Sequence, residues 1–180
     1  MRISVENTAA IIIDIQEKLF PHICETDVLE KNMIILLQGL KILNLPVIVT
    51  EQYSKGLGFT IPSLGEYIRE YPIMEKTAFS CCDDHAFMER LRDINATHVI
   101  IAGIEAHVCV LQTTIDLLHA GFLPVVVEDC ISSRKIKDKT IAINRMAREG
   151  AVITSYESIL FELLRFSGTD QFKAVSRLIK

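Results

Sequence analysis

Three side chains with complementary chemistry stand far apart in the sequence, each close to the end of an apolar or extended segment: Asp14, Lys76 and Cys109. A cysteine sulfur can attack the carbonyl carbon of an amide or ester, while a carboxylate takes the thiol proton and passes it to the leaving amine. A lysine ammonium beside both groups would hold the two anions in place. The set predicts a thiol hydrolase that forms a thioester, with Cys109 as nucleophile, Asp14 as base and Lys76 as charge partner.

The stretch 99–110 indicates how the cysteine is positioned. An apolar run ends at Gly103, and an amphipathic run with steps of three and four begins at Val108, which predicts a strand, a tight turn and a helix. A cysteine in the first helical turn faces unpaired N–H groups and the positive end of the helix dipole. With a lysine nearby, we expect the Cys109 thiolate to form well below the ordinary thiol pKa of about 8.5. Backbone N–H groups of the 105–109 turn are expected to hold the oxyanion.

Each of these residues also has an ordinary structural interpretation. Cys109 could be a small core residue, Asp14 a helix cap and Lys76 a solvated surface side chain. A cysteine–histidine pair is disfavoured, because His107 precedes Cys109 by two residues and so lies about 200° away around a helix. Two other functions stay open: a catalytically silent binding or scaffold protein, and a redox-responsive protein in which Cys109 is oxidised reversibly.

Strand-like and helix-like segments alternate along the chain. Strands are predicted at 8–15, 46–50, around 71–77, 98–102, 123–127 and 151–154, and helices at 28–44, after 83–84, from 108, at 138–149 and at 156–166. This alternation predicts an α/β fold with a doubly wound, mainly parallel sheet covered by helices on both faces. Ligands bind at the carboxyl ends of such strands, where Asp14, Lys76 and the 103–109 turn are all placed. We therefore expect the three residues to meet in one cleft.

The composition limits the function classes. A chain of 180 residues fits one domain, predicted to cover 1–180, and the net charge of -4 gives no reason to expect nucleic acid or an acidic membrane as partner. No apolar run approaches the roughly 20 residues of a membrane span, and no leader-like segment stands at the start, so a cytoplasmic location is expected.

The five cysteines are expected to be reduced thiols. Their number is odd and their spacing irregular, which does not suit a disulfide framework. Neither C-x-x-C nor H-x-x-x-H spacing occurs, so no metal site and no cofactor is predicted. Besides Cys109 they are Cys24, Cys81, Cys82 and Cys130, of which the last three are expected to line the core or the pocket wall.

Three motifs resemble the isochorismatase-like cysteine hydrolase family over nearly the whole chain. They are IIIDIQ at 11–16, EKTAFS at 75–80 and GIEAHVCV at 103–110. The resemblance implies the roles given above to Asp14, Lys76 and Cys109, and a small-molecule substrate. It also implies a cis peptide between Ile104 and Glu105, an oxyanion hole formed by the N–H groups of Glu105 and Cys109, and a homo-oligomer.

Differences from the family pattern narrow the range of possible substrates. Nicotinamidases carry an Asp-x-His metal motif where this chain has TEQY at 50–53, and isochorismatases proper cleave a vinyl ether without needing a thiol, so both activities are disfavoured. The stretch 50–58 is similar to the isochorismatase-domain-containing subgroup. An apolar pocket with few charges suits a small neutral amide. The predicted pocket wall consists of Gln52, Tyr53, Leu57, Phe59 and Phe79, and Asp129, Ser132, Ser133 and Arg134 are expected to cap the next helix and order the loop.

Overall fold

The computed structural model describes residues 2–180 and contains a six-stranded parallel sheet in the order β3-β2-β1-β4-β5-β6. This arrangement confirms the predicted doubly wound α/β fold. The strands are β1 (Thr8–Ile13), β2 (Val47–Gln52), β3 (Ile73–Lys76), β4 (His98–Ile104), β5 (Leu123–Ser132) and β6 (Val152–Thr154), and each pairs in parallel with its neighbours.

Helices cover both faces of the sheet. They are α1 (Thr26–Ile42), α2 (Ser54–Leu57), α3 (Gly65–Ile68), α4 (His85–Asp93), α5 (Leu111–His119), α6 (Ile136–Glu149), α7 (Tyr156–Leu164) and α8 (Asp170–Ile179). α1, α7 and α8 pack on one face, and α4, α5 and α6 pack on the other. Within residues 2–180, no helix is long and apolar enough to cross a membrane.

The central strands are apolar on both sides because both of their faces are covered. All six residues of β1 and all seven of β4 are buried. In β1, Ala10 and Ile12 point to the α1 face, whereas Ala9 and Ile11 point to the α4–α6 face. Near-continuous apolar runs of this kind are typical of parallel strands between two helical layers.

The strand order reverses at β1, which has β2 on one side and β4 on the other. In doubly wound sheets the crevice at this reversal, outside the carboxyl ends of the strands, is the usual ligand site. Gly103 of β4 is paired with Ile13 of β1 and has a φ of 134°. A Cβ atom at residue 103 would lie 2.2 Å from the Ile13 carbonyl oxygen, so only glycine lets the two strands approach here.

Two boundaries differ from the sequence-based expectation. A π-helical turn at Ala106–Val110 precedes α5, so Cys109 lies in this turn rather than in the first turn of a regular helix. β5 continues five residues beyond 127, to Ser132. The exposed Glu128 and half-buried Asp129 interrupt its apolar pattern, but an irregular register with β4 keeps the backbone paired through Ser132.

Candidate active site

The structure brings Asp14, Lys76 and the turn that carries Cys109 to one edge of the sheet. Asp14 directly follows β1, Lys76 ends β3 and Cys109 follows β4, with exposures of 0%, 4% and 6%. The Lys76 Nζ donates to Asp14 Oδ2 at 2.6 Å. β2 lies between β1 and β3, so the side chains of Lys76 and Asp14 together bridge two strand spacings, about 10 Å, and the lysine must be extended to do so.

The Lys76 ammonium is enclosed by acceptors. Besides Asp14, it donates to Gln52 Oε1 at 2.8 Å and to the carbonyl oxygens of Ala78 and Phe79, each at 3.2 Å. Burial is the largest single influence and lowers the pKa of Lys76, but the charge and hydrogen bond of Asp14, together with the neighbouring sulfur atoms of Cys81 and Cys109, give a net rise. With four acceptors around three protons, the ammonium is charged and fixed in position.

The Asp14 carboxylate is held through both of its oxygens. Thr50 Oγ1 donates to Oδ1 at 2.7 Å, while Lys76 occupies Oδ2. The Asp14 backbone is in the left-handed region, with a φ of 53°, which aspartate tolerates better than most residues. Positive φ in a buried, non-glycine residue is typical of functional sites, where the surrounding contacts impose it.

The Cys109 thiol lies close enough to the ion pair for the charges of both Asp14 and Lys76 to act on its pKa. Burial raises its pKa most, the Asp14 charge raises it further, and the Lys76 charge acts in the opposite direction. The net direction is strongly upward, so the expectation of a thiolate below the ordinary thiol pKa is wrong. The helix start and Lys76 both favour the thiolate, but the loss of water around the buried sulfur favours the thiol and outweighs them. The resting cluster is a thiol beside a carboxylate and an ammonium.

The turn before Cys109 contains trans peptides only. No cis bond occurs in residues 2–180, so the expected cis peptide between Ile104 and Glu105 is wrong. Gly103, with its positive φ, and the π-helical turn redirect the chain instead, and a trans bond is lower in energy by about 3 kcal/mol for a non-proline residue. The Glu105 carbonyl oxygen accepts from Val108 N and Val110 N at 3.0 and 3.4 Å, and the Glu105 N–H, just beyond the end of β4, takes no part in these turn hydrogen bonds.

Gln16 is a buried residue of the site to which the sequence argument gave no role. Its Nε2 donates to the carbonyl oxygens of Gln52 and Gly58 at 3.0 and 2.7 Å, and its Oε1 accepts from Gln52 N at 2.7 Å. These bonds tie the segment after β1 to the end of β2, whose Gln52 side chain binds Lys76. The sequence offered one signal for this role: Gln16 carries an amide side chain two residues after Asp14, within the motif IIIDIQ.

The residues predicted to form the pocket wall occupy different environments. Gln52 is buried and contacts Lys76, and Leu57 is half-buried. Tyr53, Phe59 and Phe79 lie in the segments after β2 and β3 with exposures of 53%, 66% and 55%. These exposed aromatic rings form an apolar rim along the carboxyl edge of the sheet.

A second thiol lies beside the cluster. Cys81 is fully buried, and burial, opposed by the Lys76 charge, raises its pKa to about 11. Its Sγ is 4.0 Å from Thr50 Oγ1, and its N–H donates to Thr113 Oγ1 at 3.0 Å. Thr113 follows Cys109 by about one helical turn, so Cys81 packs behind the proposed nucleophile.

Residues 132–134 pack against the other side of the turn. His107 Nδ1 lies 3.0 Å from Ser133 Oγ, and Arg134 forms an ion pair with Glu105. Asp129 Oδ1 accepts from Tyr156 N at 2.9 Å, so this carboxylate caps α7 rather than the next helix, α6.

Comparisons with known proteins give consistent similarities. A family model described as the Isochorismatase domain matches residues 8–158. Isochorismatase family protein 1B of Dictyostelium discoideum is 36% identical, over 99% of this chain and 89% of the relative. The structure of MAR1 ribonuclease from Caenorhabditis elegans matches with a TM-score of 0.94 and 40% identity, covering 99% of this chain and 92% of the other. The structure of YcaC from Pseudomonas aeruginosa with hexane-2,5-diol and covalent acrylamide matches with a TM-score of 0.91 and 26% identity, covering 97% and 89%.

Proposed function

The chain belongs to the isochorismatase family, which supports a hydrolase role, and on this premise we propose that it cleaves an amide-like C–N bond of a small molecule through a Cys109 thioester. The observation that carries the proposal is the buried ion pair of Asp14 and Lys76, joined at 2.6 Å beside the Cys109 thiol. Buried ion pairs contribute little to stability, and perturbed titratable groups collect at functional sites. This cluster also lies where the strand order reverses, the usual ligand site of the fold.

The first chemical step follows from the resting protonation states. The raised pKa of Cys109 keeps its proton on the sulfur, so the Asp14 carboxylate takes that proton as the sulfur attacks the carbonyl carbon. A C–S bond forms and the negative charge moves from the carboxylate to the carbonyl oxygen. Lys76 stays charged throughout and offsets the negative charge in both positions.

The remaining steps return the cluster to its starting state. The N–H groups of Glu105 and Cys109 stabilise the oxyanion. When the oxyanion collapses, the C–N bond breaks and Asp14 gives its proton to the leaving nitrogen. Water then attacks the thioester with Asp14 as base, releasing the carboxylic acid and the Cys109 thiol.

The charges around the site favour a neutral substrate. Asp14 is paired with Lys76 and Glu105 is paired with Arg134, so neither ion pair carries a net charge. The aromatic side chains at the same sheet edge add apolar surface. A small neutral amide fits these features better than a dianion. The names of three structural relatives include ribonuclease, but a net charge of -4 does not suit binding to a phosphate backbone.

Intact-protein mass spectrometry after exposure to p-nitrophenyl esters and a panel of small amides tests the proposal. We expect an acyl adduct on Cys109 and turnover of at least one amide, and neither in Cys109→Ala. Cys82→Ala, which removes a half-buried thiol outside the cluster, is the matched control and should behave as the wild type. Hydrolysis by Cys109→Ala at the wild-type rate would refute the mechanism. A protein that forms no adduct but keeps a binding partner would be a scaffold, and cleavage of an RNA by both proteins would point to a different site.

A homo-oligomer and a cytoplasmic location are further predictions that rest on the resemblance and the composition. Size-exclusion chromatography with light scattering checks the first. A mass equal to that of a single 20.3 kDa chain at micromolar concentration would contradict it.

A further inference from the structure

We propose that Arg134 is a positioning residue whose ion pair with Glu105 fixes the Glu105 N–H at the place where the substrate carbonyl oxygen becomes negative. The inference rests on the proposed thiol hydrolysis and adds to it a residue that lies outside the cluster of Asp14, Lys76 and Cys109.

The two partners emerge from neighbouring strand ends. Glu105 is the first residue after β4 and Arg134 the second after β5, and Ile104 is paired with Ser132 across these strands. Arg134 Nε donates to Glu105 Oε1, and Nη2 donates to Oε2 at 3.2 Å. A guanidinium that binds both oxygens of a carboxylate sets the orientation of the carboxylate as well as its distance.

The two side chains of the pair are buried to different extents. The more buried one is therefore the one whose position requires its partner. The Glu105 side chain is 11% exposed, whereas the Arg134 side chain is 57% exposed. A nearly buried carboxylate without a partner is strongly unfavourable, but a half-exposed guanidinium can be hydrated. Arg134 therefore holds Glu105 in place, and without it the Glu105 carboxylate would turn toward water.

Such a turn would move the oxyanion donor. The Glu105 carbonyl is fixed by Val108 N and Val110 N, and its side chain is fixed by Arg134. Its N–H lies just beyond the end of β4 and takes no part in either of these two sets of contacts. Releasing the side chain loosens one of the two restraints on the peptide that carries this N–H, beside the Cys109 turn.

Arg134 is itself anchored through the backbone. Its carbonyl oxygen accepts from Cys24 Sγ at 3.0 Å, and the Ser133 carbonyl accepts from Cys24 N at 3.0 Å. Ser133 Oγ also contacts His107, within the π-helical turn, at 3.0 Å. The 132–134 segment is thus tied to the turn and to the segment before α1, so the position of the guanidinium is defined by the fold.

The test compares two reactions of the same thiol. Acylation of Cys109 by p-nitrophenyl acetate develops an oxyanion, whereas alkylation by iodoacetamide displaces iodide and develops none. In Arg134→Gln we expect the acylation rate constant to fall about 10- to 100-fold, somewhat less than the loss of a whole oxyanion donor. KM and the alkylation rate of Cys109 should stay near wild-type values. Arg145→Gln is the matched control, because Arg145 is also 57% exposed and pairs with a glutamate, Glu149, on α6.

Two further variants separate positioning from general disruption. Arg134→Lys should recover part of the acylation rate, and the double variant Arg134→Gln with Glu105→Gln should lose no more than the worse single variant. An equal fall in acylation and alkylation, or no fall in acylation, overturns the inference. Failure of the wild type to be acylated at all overturns the proposed function as well, so the two failures are distinguishable.

Discussion

Replacing Asp14 by asparagine should speed the alkylation of Cys109 while abolishing hydrolysis. Asparagine has the same shape: its amide oxygen can accept from Lys76, while its amide nitrogen donates to the Thr50 hydroxyl oxygen, which lies 2.7 Å from the Asp14 carboxylate. Lys76 keeps three other acceptors, the Gln52 amide and two carbonyl oxygens. The variant therefore loses the base and one negative charge but does not leave the ammonium without partners.

The size of the effect follows from the causes of the raised Cys109 pKa. Burial is the largest cause and does not change in the variant, whereas the Asp14 charge, the second cause, disappears and leaves Lys76 unopposed. Unit charges ~4–5 Å apart in an effective dielectric of about 20 interact by about 3–4 kcal/mol, which corresponds to about 2–3 pKa units. A fall of about 2 units gives about 100-fold more thiolate, while the lower basicity makes each thiolate about 10-fold less nucleophilic. The net expectation is alkylation about 10-fold faster near neutral pH.

The assay is a time course of iodoacetamide labelling with peptide mapping, which reports each cysteine separately. Cys24 is the internal reference, because it is half-buried and its thiol donates to the Arg134 carbonyl oxygen rather than to Asp14. Turnover of p-nitrophenyl acetate is measured on the same samples, and circular dichroism establishes that the variant is folded.

Two results would refute the reasoning. Unchanged or slower labelling of Cys109 in a folded Asp14→Asn variant would mean that this carboxylate does not keep the thiol protonated. Turnover at the wild-type rate would mean that Asp14 is not the base. Faster labelling together with lost turnover is the combination that the proposed roles require.

Two other perturbations test the framework of the site. Lys76→Met should lower the free energy of unfolding by about 3–5 kcal/mol, because it leaves the buried Asp14 carboxylate unpaired. The fold raises the pKa of Lys76, so the difference in free energy of unfolding between wild type and variant should depend on pH in urea titrations. It should be constant below the ordinary lysine pKa of 10.5 and shrink as the pH rises through the higher pKa of the folded state. A constant difference at all pH values would contradict this. Gly103→Ala should lower the free energy of unfolding by about 4 kcal/mol or more and abolish acylation, because the added Cβ would lie 2.2 Å from the Ile13 carbonyl oxygen. A thermal midpoint within a degree or two of wild type would contradict the close approach of the two strands.

The fold could be predicted from the sequence because its signals are local. Apolar runs such as 8–13 and 98–104 are buried on both faces, and alternation with helices leaves few arrangements other than a doubly wound sheet. The position of Asp14, Lys76 and the 103–109 turn at strand ends was also readable, since parallel strands place their carboxyl ends at one edge.

The protonation of the site could not be predicted, because it depends on burial and on distances between elements remote in sequence. The helix start and Lys76 indicated a thiolate, whereas the loss of water and the proximity of Asp14 favour the thiol. The trans peptide between Ile104 and Glu105 likewise differs from what the motif alone implied.

The sequence by itself determined the family, the sheet and the three residues proposed to do chemistry, since these depend on residue type and spacing. Only the tertiary structure decided that Gln52 and Thr50 hold the ion pair, and that Arg134 reaches Glu105 from the neighbouring strand end. Hydrogen bonds between side chains on different strands leave no periodic trace in the sequence. They follow from strand register and from which groups are removed from water, and both are properties of the folded chain.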